Sequence, residues 1–246
     1  MVLQDILDQL SVGELSQIAL TETVNGELPE KSKKDLVTHI NMGLTALHKR
    51  FILNRETIRI ALQPDLLTYI IDRKYAESNM ASNETKYIMD AAAPYSGRLM
   101  QIEAVSDDLG DMVPLNIGNR RDSLKTPNFK TLVLPPRSTA TSNLPHLLDR
   151  TTFLDVTIRA NHRTLRELDL IYPANMVEID LPETHLEPLL YYIASRVLNP
   201  VGMSQEFHEG NNYAAKYEAS CLQIQNEGYE LSDPGLVNTF ARDGWV

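Results

Sequence analysis

The sequence holds one cysteine, Cys221, in 246 residues. No internal disulfide is open to it, and the histidines do not stand at ligand spacing around it. A chain of this length buries a sizeable core without such staples, so a lone thiol suits folding in a reducing cytoplasm. Long apolar runs are also missing. None approaches the ~20 residues that span a bilayer. The opening MVLQDILDQL places acids where a secretory signal needs a basic start and an unbroken apolar run. Neither export nor membrane insertion is expected. Positive charge is scarce: 23 Lys and Arg stand against 33 Asp and Glu, a net of −10. That balance argues against a general nucleic-acid binder, which needs a basic surface. Dinucleotide and phosphate loops, zinc-protease and C-x-x-C motifs and the serine nucleophile elbow are all absent. The histidines are His39, His48, His146, His162, His185 and His208, and none pair at i and i+4 on a helix to hold zinc. No cofactor, no metal site and no enzymatic activity are expected.

What is present is an ordinary globular composition, 43% hydrophobic and 23% charged, sized for one large domain or a core domain with an insertion. Prolines organise the map. None falls between Glu30 and Gln63 or between Val201 and Asp233. Proline breaks helix interiors and central strands, so the order is helical, then irregular and β-rich, then helical. The expected fold class is α+β. Residues 1–55 and 183–228 form a helical bundle core, 56–182 a β-rich insertion and 229–246 an extended C-terminal tail.

In the first helical block, LQDILDQL is followed by Ser11-Val12-Gly13-Glu14. Its spacing is that of a capping box, which predicts a second short helix through Leu20. Asn25-Gly26 turns the chain, and Pro29 opens a long helix. Leu36, Ile40, Leu44, Leu47 and Phe51 make one apolar stripe along it. Gly43 on this helix invites a close neighbour. In the middle, strands are expected over Thr57–Leu62, Leu99–Val105, Met112–Ile117, Leu132–Leu134, Phe153–Ala160 and Met176–Leu181, with 75–95 as a polar loop. The second helical block opens on another capping box, Thr184 to Glu187. Pro188 then stands in the first turn, and Leu186, Leu190, Ile193 and Val197 form a stripe. A last helix spans about Ser204 to Glu227, with Phe207, Ala214, Tyr217, Cys221 and Ile224 on one face and Gly228 as its C-cap.

Candidate chemistry is sparse. Asp107, Asp108 and Asp111 invite a calcium reading, but the loop is short and lacks the closing glutamate, so a hairpin turn fits better. Asp107, Asp111 and His162 would be the residues of a small hydrolase, and no spacing supports one. Arg120-Arg121 reads either as a grip on phosphate or carboxylate or as a solvated loop. Cys221 reads as an inert core thiol. Tyr191, Tyr192 and Tyr217 read as core or as interface anchors. Charge is uneven. Residues 112–137 carry Arg120, Arg121, Lys125, Lys130 and Arg137 against Asp122, whereas 183–246 hold nine acids and three bases. Such asymmetry suits a subunit that meets copies of itself or an oppositely charged neighbour. Trp245, the only tryptophan, stands where chains fray, which points to burial on a partner.

Three stretches carry a resemblance: LSVGELSQIAL with INMGLTALHKRFIL, LPETHLEPLLYYIASRVLNPVG, and NNYAAKYEASCLQIQNEGY. In order and spacing the chain resembles the head-to-tail adaptor (head completion or tubular tail) proteins of short-tailed bacteriophages. The resemblance implies a ring of twelve copies below the portal protein, its lower face receiving the tail nozzle or tail tube. Genome DNA would pass through the lumen without specific binding. It also implies a place at the head-tail interface of the virion after synthesis in the host bacterial cytoplasm. The C-terminal segment, with Leu231, Leu236, Phe240, Arg242 and Trp245, would reach the portal. Arg120, Arg121 and Lys125 would meet a neighbouring subunit or the tail. The competing structural reading is a tail-terminator or tail-tube protein. A DNA-binding regulator is disfavoured by the acidic balance.

Overall fold

A computed structural model describes residues 1–13, 15, 30–118, 123–135, 151–166, 169, 171–198 and 204–228. The protein is α+β, with helices α1 (Leu3–Val12), α2 (Glu30–Arg50), α3 (Leu186–Val197) and α4 (Ser204–Glu227). Seven strands lie among the described residues: β1 (Arg55–Ala61), β2 (Thr68–Ile70), β3 (Ile88–Met89), β4 (Leu99–Ser106), β5 (Lys125–Asn128), β6 (Thr131–Val133) and β7 (Phe153–Ala160). The chain divides into two compact units. One takes Met1–Leu53 and the described residues from His162 onward, and the other takes Asn54–Asn161. Composition alone put the second boundary at 182/183. It falls at 161/162 because Leu165, Val177, Ile179 and Leu181 bury their side chains among the helices.

In the helical unit every residue of the α2 stripe is buried, with Leu36, Ile40, Leu44, Leu47 and Phe51 all at 1% exposure or less. Gly43 stands on the same helix. A β-carbon there would lie 2.6 Å from Leu189 Cδ1 and 3.1 Å from Tyr192 Cδ1, so glycine sets how closely α3 packs. Gly43→Ala gains about 1 kcal/mol of helix propensity but costs about 1–3 kcal/mol through overpacking. The expected outcome in urea unfolding is a net loss, and a stabilised variant would contradict the close packing.

Several local expectations are corrected. Ser11 does not cap a second helix. α1 continues through Val12, and the Ser11 hydroxyl donates to the Asp8 carbonyl. Residues 16–20 lie outside the described residues. At the start of α1 the N-cap residue is Val2, whose N–H donates to the Asp5 carboxylate. The Thr184–Glu187 capping box does not form. A 3-10 turn, Glu183–His185, leads into α3, Thr184 Oγ1 bonds His185 Nδ1, and Glu187 accepts from the Tyr191 hydroxyl. Pro188 does occupy the first turn of α3, and Leu189 joins the stripe as a fully buried residue. In place of the strand expected over Met176–Leu181 there is a 3-10 turn at Ala174–Met176 and a single bridge from Glu178 to Val2. Ala214 is exposed, and the inner face of α4 is formed by Tyr213, Tyr217, Cys221 and Ile224. Phe207 has no described side chain. Gly228 ends α4 at φ 71°, the left-handed conformation of a C-cap.

The second unit holds two antiparallel sheets, ordered β3-β1-β7-β4 and β2-β6-β5. β1 and β7 pair over their whole length, Arg55 with Arg159 through Ala61 with Phe153. Alternation sends Ile58, Ile60, Leu154, Val156 and Ile158 into one core with Tyr69, Tyr87 and Leu132. Period-two patterning made β1 and β7 readable. β2, β3 and β5 are too short to show a period, and β5 contains Pro127. The segment expected as a polar loop from 75 to 95 holds β3 and buries Tyr87, Ile88 and Tyr95. Met112–Ile117 makes only bridges, Met112 to Ser106 and Leu115 to Leu124.

Candidate binding groove

The described cavity lies in the β unit, about 600 Å³ between the edge of β1 and the loop 90–98. Its position follows from unequal strand lengths. Bonds from Leu62 N–H to Thr152 and from Ala160 N–H to Asn54 fix the β1–β7 alternation. The backbone N–H and C=O groups of even-numbered β1 residues therefore point to β7, and those of odd-numbered residues point to the opposite edge of the strand. On that side β3 meets only Arg59 and Ile60. The backbone of Thr57 thus turns toward the groove.

The opposite wall is held by Asp90. Its buried carboxylate accepts from the Ser78 amide at 2.8 Å, the Ser78 hydroxyl at 2.5 Å and the Tyr95 amide at 2.7 Å. Burial alone would raise its pKa, but the bonds from Ser78 and Tyr95 outweigh burial and hold the carboxyl below its ordinary value. Gly97 adopts φ 77°, and a β-carbon there would strike the Arg73 stem at 2.7 Å, so only glycine fits the turn. Tyr95 is buried, and burial, then Glu56 and Asp72, push its phenol pKa up. It stays a neutral wall.

Apart from Asp90, the charges lining the groove are matched in pairs. Glu56 accepts from Arg98 at 2.9 Å and from the Ser96 hydroxyl at 3.0 Å. Arg59 grips Asp155 through two 2.8 Å bonds and lies 4.0 Å over the Phe153 ring. Carboxylates already neutralised by guanidinium groups are poor general bases. The groove offers a stretch of strand edge, suited to main-chain hydrogen bonds with an extended chain.

None of these residues was singled out from sequence. The alternation of β1 shows Arg55, Thr57 and Arg59 on one face, but the Asp155 partner requires the register of β7. Residues that were singled out fall elsewhere. Asp107 accepts from the amides of Leu109 and Asp111, an Asx turn. His162, in the other unit, bonds Thr45 Oγ1 at 3.0 Å. Asp107 and His162 therefore belong to separate units. Cys221 is buried, and burial raises its thiol pKa. Tyr192 meets Tyr217 edge-on at 5.3 Å. Lys125 stands exposed on β5. Arg120, Arg121, Leu231, Leu236, Phe240, Arg242 and Trp245 lie outside the described residues. Among the described residues no cluster of three or more histidine, cysteine or acidic side chains could hold a metal, and no helix is long and apolar enough to cross a membrane. No protein-family model matches the chain, and no curated protein matches it.

Proposed function

We propose that this chain is a structural, non-enzymatic subunit of a tailed phage, one copy of the ring that joins the head to the tail. The observation that carries the reading is the layout of the chain. Helices from before residue 54 and after residue 161 gather in one unit, and the residues between them form a separate antiparallel unit. A helical bundle interrupted by a β-rich insertion and followed by a C-terminal segment is the plan of the adaptors that the sequence resembles. In this reading twelve copies pack their helices side by side. The acidic surface lines a lumen that repels DNA phosphates, and Arg120, Arg121 and Lys125 face an acidic neighbour. Residues 231–246 engage the portal, and the β unit faces the tail or the exterior.

Mixing the purified protein with portal rings is expected to give stacked rings in negative stain. Deleting residues 231–246 is expected to leave a folded protein that no longer co-sediments with the portal. Equal co-sedimentation of truncated and full-length protein would reject the portal role of that segment. Absence of stacking by the full-length protein would reject the ring.

A further inference from the structure

Helices α2 and α3 run antiparallel along one seam. Phe51 lies edge-on to His185 at 4.7 Å, Gly43 faces Leu189 and Tyr192, and His39 lies near Arg196. Histidines therefore stand at both ends of this helix contact. His185 is 1% exposed. Its Nδ1 bonds Thr184 Oγ1, and its Nε2 is buried with no hydrogen-bond partner among the described residues. It also directly precedes α3, whose amino-terminal amides carry partial positive charge and disfavour a cation. His39 Nδ1 is likewise buried without a partner.

We propose that the α2–α3 seam is an acid-sensitive latch, closed while His39 and His185 are neutral and opened when they take up protons. A protonated imidazole must give up its hydration on entering this seam, and among the described residues His185 has no counter-charge to replace it. Burial lowers the pKa of His185, and no charged group among the described residues adds to or opposes that shift. At His39 burial also lowers the pKa. Asp35 on α2 opposes the shift, and Arg196 on α3 reinforces it.

The other charged and titratable groups near the seam are engaged by other partners or exposed. Arg50 on α2 bonds Glu218 of α4 at 2.5 Å, Glu187 on α3 accepts from Tyr191, and Arg196 lies over the Tyr192 ring. Lys49 is exposed. His48 lies ring to ring with His162 at 5.5 Å. On α4, burial raises the pKa of both Tyr217 and Cys221, which keeps them uncharged.

The sign follows from linkage. The unfolded chain takes up protons at the ordinary histidine value of 6.5 while the folded seam does not. Stability is therefore undiminished above that value and falls as the pH drops below it. The latch does not depend on the ring reading.

The test is urea unfolding of the full-length protein at about pH 7.5 and about pH 5.5, where most carboxylates remain ionised, followed by near-ultraviolet circular dichroism. The wild-type midpoint is expected to move to lower urea at the acid pH. The His39→Gln/His185→Gln variant is expected to show a smaller move. A wild-type titration by NMR of labelled histidine covers the case in which that variant does not fold, and both rings are expected to stay neutral below 6.5. An unmoved wild-type midpoint, an equal move in the folded variant, or titration of His185 at or above 6.5 overturns the latch.

Discussion

Phe51→Ala is expected to cost about 3–5 kcal/mol of unfolding free energy, the usual range for removing a fully buried phenylalanine. Phe51 follows the last residue of α2, and its amide donates to the Leu47 carbonyl at 2.7 Å. The ring is 1% exposed and meets the edge of His185. Truncation removes apolar burial and leaves a cavity beside an imidazole whose Nε2 already lacks a partner. Urea unfolding at neutral pH measures the cost, and a loss below about 1 kcal/mol would mean that the neighbouring helices collapse onto the gap.

Asp90→Ala is expected to cost about 3 kcal/mol, because it strips the partners from two amides and a hydroxyl held at the groove wall. Asp90→Asn keeps an acceptor oxygen and should lose less. The two variants also differ from wild type in acid. The Asp90 carboxyl is held below its ordinary 3.8, so its contribution is complete above that value and disappears as the pH falls through the lower folded value. Both variants should lack this part of the acid response. Urea midpoints at neutral and acid pH separate the cases. An Asp90→Ala protein as stable as wild type would show that the loop 90–98 does not depend on the carboxylate.

Long periodic elements were legible in the sequence. The α2 stripe, the span of α4, the strands β1 and β7 and the C-cap at Gly228 follow from spacing that repeats often enough to outweigh chance. Caps were less legible. Ser11 and Thr184 have the residue types of a capping box, but each box needs a non-helical residue at its start, and packing extends α1 past Ser11 and inserts a 3-10 turn at Glu183. Residues 176–181 look like a strand because Val177, Ile179 and Leu181 alternate. They alternate because one side faces the helices, which period alone cannot distinguish from a sheet. The groove was not legible. It depends on β3 being shorter than β1 and on a register that pairs Arg59 with Asp155, and neither is a local property of sequence.

The bond from the Ala160 amide to the Asn54 carbonyl, 3.0 Å long, bears on the order of folding. It brings together the two ends of residues 54–160, a stretch that lies between α2 and α3. Closing so long a loop in an unstructured chain costs about 4 kcal/mol in entropy. Once β1 and β7 have zipped, that cost has been met within the β unit, and the helices see a short connection. A chain emerging from the ribosome completes β7 before α3 is made. The sheet thus draws the ends of the intervening chain together before the helical unit condenses, and a slip in β1–β7 register would delay helix packing.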